Sequence, residues 1–496
     1  MNRFHHILAF LLTITTTAYS QTVSDAVRYS EVVPLGTART VGVGSAFGAM
    51  GGDFSVIGIN PAGLGTYFKS EFTLTPAVGI SSTDALVTNA TSNSIGDSKS
   101  AIGLDNIGLV SSNTTGRNWI AKNWGIGFSK AKSLGRSFEY SGQSQGSITE
   151  RWVQLADGLS VEELDDFEAF PAYDAGALIL GDGNTYSTDY AVDDDVTKRQ
   201  RVEESGYISE LNIAYAANYK NKLNLGISIG IPFMSFEQNK TYTEAVDDRD
   251  AAGQPLFQNN LEYIEYLNAT GAGINIKAGA IYNFNPVRIG AAIHTPTWYS
   301  LDEDFDTEVN YTYEYFIDPD SGTGSSRSVD GSFTYNFATP WKAVGSIGSL
   351  LSLGDIKGFI NADVEYLDYS SARFDLTSDS NQFGDAQAEE ALNAEVTTSL
   401  RSTVNYRVGA EIAISKYRLR AGYNYSPSPY VDRDATKSAS VGAGYRKDAF
   451  FFDIAYRLTR FDDTYTPYAS ALPSRDINVE TSSAVTRVVA TFGFKF

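Results

Sequence analysis

Few residues in this sequence have the types and spacing that chemistry asks for. Gly142-Gln143-Ser144-Gln145-Gly146 matches the G-x-S-x-G string of serine hydrolases. That string has meaning only on a strand-to-helix elbow with a histidine partner, and here it falls in an expected loop. The histidines are His5, His6 and His294, and the first two lie in a segment expected to be removed. His294 is then the one imidazole left. It is a possible haem ligand, as Met and Tyr are, but no carboxylate partner for acid–base work can be identified. The glycine-rich stretch 42–52 lacks the Lys-Ser/Thr pair of a phosphate loop and any βαβ setting. Asp193-Asp194-Asp195 lacks the spacing of a calcium loop and reads as a solvated charge run. With no Cys in 496 residues, a disulfide scaffold and a Cys-ligated zinc site are excluded. The residues point away from an enzyme.

The composition narrows the class further. Hydrophobic residues make up 42% of the chain, too many for disorder. Lys plus Arg is 38 and Asp plus Glu is 59, a net charge of −21. That balance disfavours nucleic acid as a partner, because binding to phosphate needs cations. Residues 1–20 read as a signal peptide. Arg3 supplies its charge, Ile7 to Ile14 its apolar core and Ala18-Tyr19-Ser20 its small-x-small end, with cleavage before Gln21. No later run of 18 apolar residues exists, so helical membrane spans are not expected.

Beyond residue 70 the chain repeatedly alternates with period two, the strand signal. Leu223, Leu225, Ile227, Ile229, Ile231 and Phe233 alternate with Asn224, Gly226, Ser228, Gly230 and Pro232. Phe450 to Leu458 and Tyr417 to Tyr425 repeat the pattern, and the chain ends on Phe492, Phe494 and Phe496. Fourteen such segments are expected, at 72–80, 104–112, 118–132, 203–219, 222–236, 262–284, 287–301, 333–350, 355–376, 402–415, 417–428, 437–446, 449–463 and 484–496. Tight links such as Lys220-Asn221, Asn285-Pro286, Lys416 and Lys447-Asp448 alternate with long ones at 81–103, 133–202, 237–261, 302–332, 377–401 and 464–483. Short turns on one rim and long loops on the other are the plan of an outer-membrane barrel. The expected fold is therefore all-β, a 14-stranded antiparallel transmembrane β-barrel spanning 71–496. Parity points Lys277, Arg288, His294, Asp363, Glu365, Arg407, Glu411, Arg418, Arg420, Asp453, Arg457 and Arg487 into its lumen.

Residues 21–70 do not alternate and are rich in Gly and Ala. A short helix around 38–50 followed by turns is expected, compact enough to plug a barrel of this size. The run Gly36 to Ser55, followed by Asn60-Pro61-Ala62-Gly63-Leu64, resembles the FadL/TodX-type outer-membrane transport proteins. Within them it is most similar to a Bacteroidetes-like branch sometimes labelled hemin receptor. His294-Thr-Pro-Thr-Trp298 and Thr339-Pro-Trp-Lys342 add scattered strand matches. The resemblance implies a fourteen-stranded barrel with residues 21–70 as an N-terminal hatch in the lumen. It also implies passive uptake of long-chain fatty acids or other hydrophobic small molecules. Ligand would enter through extracellular loops, reach a pocket beside the hatch and leave sideways at a kinked third strand.

On that basis the ligand contacts are taken as Phe47 and Phe54 in the glycine-rich run, Asn60, Pro61 and Ala62 in the hatch motif, Gly125 and Gly127 where the third strand could kink or bulge, and His294. Loop 133–202 offers Trp152, Leu155, Leu159, Val161, Leu164, Phe167, Phe170 and Tyr173 for a capture groove. Within it Ser160–Ala169 is expected to be a short amphipathic helix, with Ser160 as N-cap and Glu163 closing a capping box. No cofactor or metal is called for. The partners expected are the lipid bilayer and a hydrophobic small molecule, and the barrel is expected to be a monomer. A haem receptor and a structural or secretion-associated barrel are the alternatives.

Overall fold

A computed structural model describes residues 21–31, 35–88, 90–114, 116–190, 195–249, 252–316, 320–376, 386–469 and 477–496. The expected signal segment and Asp193 and Asp194 lie outside them. Fourteen antiparallel strands, three of them interrupted, form the wall. The first seven are β1 Glu71–Val87, β2 Ile95–Thr114, β3 Trp119–Ser133 with Arg136–Gln145, β4 Asp195–Tyr219, β5 Leu223–Arg249, β6 Pro255–Asn283, and β7 Val287–His294 with Trp298–Tyr315. Next come β8 Asp320–Arg327, Gly331–Ala338 and Lys342–Leu353, then β9 Ile356–Asp368 and β10 Ser402–Ile414. The last four are β11 Tyr417–Ser426, β12 Thr436–Lys447, β13 Phe450–Tyr465 and β14 Val479–Lys495. Closure is β1 against β14, from Glu71↔Lys495 to Val87↔Val479. A closed ladder leaves no edge unpaired in hydrocarbon.

The alternation works as read. Leu225, Ile227, Ile229 and Phe233 are exposed on the outside, while Asn224 and Ser228 are buried in the lumen. Lys220 and Asn221 both take left-handed backbone, φ +52° and +55°, which makes the tight β4–β5 turn. Aromatic pairs line that rim: Trp119 with Tyr219 at 5.1 Å, Tyr417 with Tyr445 at 5.7 Å and Phe450 with Phe494 at 5.3 Å. Such a girdle marks a membrane interface. Along β11, Tyr417 and Tyr425 are both exposed, eight steps or about 27 Å of strand apart.

The other rim departs from expectation. The long links at 81–103, 237–261 and 302–332 are mostly ladder. β5 and β6 stay paired from Tyr282↔Leu223 up to Pro255↔Arg249, and β6 and β7 pair as far as Phe257↔Tyr315. Above the bilayer the outer face meets water. The apolar signal stops there, but the backbone still needs partners. Residues 146–190 pack against this tall wall, with Trp152 fully buried and its ring 5.4 Å from Tyr263. The expected helix Ser160–Ala169 is absent. The Glu163 carboxylate does accept from the Ser160 N–H and hydroxyl, at 2.9 and 2.8 Å, but the pair caps one 3-10 turn, Val161–Glu163. The helices are α3 Ile148–Ala156 and α4 Ala169–Asp174 on either side.

Residues 21–70 hold two helices, α1 Val23–Ser30 and α2 Ala38–Gly42, and two 3-10 turns, Phe54–Gly58 and Pro61–Thr66. The helix expected over 38–50 thus ends at Gly42, and α1 was not anticipated. Gly44, at φ +66°, breaks the chain away from α2. The segment is pinned locally by capping. The Asp53 carboxylate accepts from the Thr37 hydroxyl at 2.8 Å and from Ser55 N–H at 3.0 Å. Asn60 accepts from Ala62 N–H at 3.1 Å, ahead of Pro61 at the first helical position.

Candidate functional site

The segment is bonded to strands all round the wall. Ala38 N–H donates to Thr491 on β14, 2.7 Å; Asn123 on β3 donates to Leu64 O, 2.7 Å; Asn218 on β4 donates to Gly65 O, 3.2 Å. Asn60 reaches Ala280 O on β6, 3.3 Å, and the His294 Nε2 of β7 lies 3.0 Å from Ile59 O. Asp363 on β9 accepts from Phe47 N–H at 2.9 Å and from Gly48 N–H at 3.1 Å. Glu411 on β10 takes Arg39 in a fork, at 3.0 and 3.1 Å, and Arg420 Nε at 2.6 Å. Arg39 also lies over Phe47 and Phe359, 5.1 and 5.6 Å from their centroids.

Wall glycines admit this segment. A Cβ on Gly108 or Gly127 would enter the Phe54 ring, and one on Gly125 would meet Ile57 and Leu64. Gly226 faces Pro61 and Ala62, Gly290 faces Gly48, and Gly422 faces Val43 and Gly44. The role of Gly125 and Gly127 is therefore close approach. The β3–β4 register runs unbroken through both, and its shifts fall at Trp119/Ala121 and Lys130/Lys132. Phe47, Phe54, Asn60, Pro61, Ala62, Gly125, Gly127 and His294 thus lie between segment and wall but not at one place: Phe47 packs on Phe359 and Phe54 on Gly108 and Gly127. None of the eight borders the large cavity of the barrel.

That cavity, of about 1030 Å³, is bounded by α1, by residues 131–138 of β3 and by the inner faces of β10 to β14. Beside it the wall loses its ladder. β2 and β3 pair from Thr114↔Ala121 to Asn106↔Ser129 and no further. Beyond that rung Ile95–Leu104 pairs with β1 alone, and Arg136–Gln145 pairs with β4 and, at its top, with Thr91 and Ser92. Side chains bridge the interval. The Ser137 hydroxyl donates to Asp97 at 2.5 Å, and Lys99 donates to Glu204 O at 2.9 Å. Ile102, 85% exposed, stands on its outer face, at the level where Val78 and Val488 face outward. The cavity therefore abuts a stretch of wall that lacks backbone bonds within the apolar band.

α1 closes the cavity from the side. Thr22 caps it, with Asp25 accepting the Thr22 N–H at 2.7 Å. Lys132, next to the interruption, pairs with Glu31 at 2.9 Å. Arg28 is paired with Asp25 and lies 3.9 Å over the Phe236 ring. Burial opposes its charge, but Asp25, Tyr29 and Glu204 together outweigh burial and hold the guanidinium above its usual range. Burial, with Asp25 and Glu303 nearby, pushes the Tyr29 phenol well up, so it stays a neutral donor. A helix between β9 and β10, α5 Ala386–Ser399, packs Leu392 and Val396 into the apolar cluster that holds Val23, Ala26 and Tyr29. The sequence carried a trace of α1. Val23, Ala26, Val27 and Ser30 share a helical face behind a Thr22/Asp25 box, a pattern too short to stand out beside fourteen strands.

Two solved structures share this architecture. The toluene transporter TodX of P. putida is 12% identical, with TM-score 0.50, over 94% of this chain and 99% of its own. A FadL homologue of Pseudomonas aeruginosa is 12% identical, with TM-score 0.53, over the same shares. The fold is that of the FadL/TodX channels. Ser144 of the G-x-S-x-G string lies in a strand, accepting from Lys198 at 3.0 Å, and not on a strand-to-helix elbow. No protein-family model matches the chain, and no curated protein sequence matches it. At this identity the likeness to FadL and TodX fixes the fold, an outer-membrane barrel, and leaves branch and ligand to the residues.

Proposed function

We propose that this chain is a passive outer-membrane channel that takes up hydrophobic small molecules and releases them sideways into the bilayer. One observation carries the proposal: a cavity of about 1030 Å³ abuts the β2–β3 interval where the wall has no ladder. An apolar solute that reaches the cavity has a short path into lipid and need not cross an aqueous lumen. Residues 1–20 are the export signal, cut near Ser20, and residues 21–70 are a hatch that stays seated. Phe47, Phe54, Asn60, Pro61, Ala62, Gly125, Gly127 and His294 serve as its seat and bear on ligand through it. Long-chain fatty acids and, as for TodX, toluene-like hydrocarbons are the substrate candidates. Haem is disfavoured, because His294 is engaged by Ile59 O and does not border the cavity.

The test exploits a chain with no Cys. Asp97→Cys with Ser137→Cys replaces a bridging hydrogen bond by a disulfide across the interval. Uptake of labelled palmitate and toluene by cells lacking other routes is then compared before and after oxidation. Oxidation should cut uptake severalfold and reduction should restore it. Full cross-linking with unchanged uptake would end the lateral route.

A further inference from the structure

One buried arginine of the lumen has no ion pair among the described residues. Arg457 on β13 and Arg487 on β14 are direct cross-strand partners, and like charges so placed repel. Arg487 is neutralised by Asp105, to which its Nε donates at 2.7 Å. Arg407 on β10 is neutralised by Glu365, 2.5 Å away. Arg457 is only 5% exposed, and among the described residues it forms no ion pair. Its Nη2 donates to Ser438 Oγ at 3.2 Å, and its Nη1 has no hydrogen-bond partner. The Nη1 of Arg407 is likewise unpartnered. Arg407, Ser438, Arg457 and Arg487 all border the cavity. Three guanidinium groups there meet two carboxylates.

Burying a cation without a counter-charge is costly, and the buried lumen cations Lys277, Arg407, Arg420 and Arg487 each have an acid beside them. We infer that Arg457, with Ser438 and the free edge of Arg407, is a seat for an oxyanion brought by the ligand. The inference rests on the channel reading and deepens it. The cargo is an amphiphile with an anionic head, its carboxylate on Arg457 and its tail directed across the cavity to Leu134 and Gly135 at the wall interruption. A neutral hydrocarbon leaves this charge unanswered. The oxyanion could also be a free one, and the experiment separates the two sources.

The full-length barrel in mild detergent is titrated calorimetrically with palmitate, with hexadecanol as its neutral analogue, and with acetate. Wild type, Arg457→Gln and Arg457→Lys are compared, with thermal unfolding as the control for folding. Palmitate should bind at least about tenfold more tightly than hexadecanol, since a charge-assisted hydrogen bond is worth that much. Arg457→Gln should erase the difference while leaving hexadecanol unchanged, and Arg457→Lys should keep part of it. Acetate binding as tightly as palmitate would keep the seat and assign it to a free anion. Equal binding of palmitate and hexadecanol in wild type would overturn the seat and leave the channel standing. Absence of binding by any of the three would overturn the seat and the channel reading together.

Discussion

Replacing Glu411 by Ala should loosen residues 36–66 without unfolding the barrel. Glu411 accepts two hydrogen bonds from Arg39 of the N-terminal segment, at 3.0 and 3.1 Å. Both groups are largely buried, with side-chain exposures of 16% for Arg39 and 7% for Glu411. Bonds between charged groups are worth about 1.5–3 kcal/mol each, and breaking a buried pair costs about 3–5 kcal/mol. Arg39 would keep its bond to Gly52 O at 2.8 Å and its stacking on Phe47, which argues for the lower end. Arg420 would keep Asp453, 2.8 Å away, so β10 and β11 stay closed. A loss of about 3 kcal/mol is roughly two orders of magnitude in the opening equilibrium. Hydrogen exchange in micelles reads it directly. Amides of 38–66 should exchange about a hundredfold faster, while those of β5 and β6 hold their rates. Arg39→Ala should have the same effect, and the double variant should add little. Hatch amides that change by less than about threefold would show that this ion pair does not hold the segment, against the magnitude expected for a buried pair.

Two more outcomes come from the packing. Gly127→Leu should drive Phe54 from its place and lower the stability of the hatch contact by about 1–3 kcal/mol; adding Phe54→Ala should recover part of it, as read by thermal unfolding. Single cysteines at Leu225 and Ile227, which are 42% and 50% exposed, should react with lipid-phase maleimides. Cysteines at Asn224 and Ser228, which are buried, should not, and equal labelling would contradict the assigned faces.

The membrane part of the wall was legible because two solvents write on it. Lipid demands Leu225, Ile227 and Ile229 outside, and a confined lumen demands Asn224, Gly226 and Ser228 inside. Of the twelve charged or ionisable residues assigned to the lumen by parity, all but Arg288 and Arg418 are buried. Strand ends were not legible, because Thr241 to Arg249 pair with β6 in water, where nothing forces alternation. The candidate site was legible in part. The motif around Asn60 marked a close contact, but that contact is with wall glycines and not with the cavity. Cavity residues such as Lys132 and Leu134 on one side and Arg457 on the other are far apart in sequence, and no motif joins them. The unmatched charge of Arg457 needs Arg487 and Asp105 to be seen beside it.

The glycines facing the hatch bear on how such a barrel can be assembled. Gly108, Gly226, Gly290 and Gly422 belong to β2, β5, β7 and β11, and each meets hatch atoms, while Ala38 at the start of α2 bonds to Thr491 on β14. The segment made first thus touches strands made throughout synthesis and is complete only when β14 closes on β1. Removing it would leave Asp363 and Glu411 facing a void lined by glycine, so the product would be a weakened wall instead of an open pore.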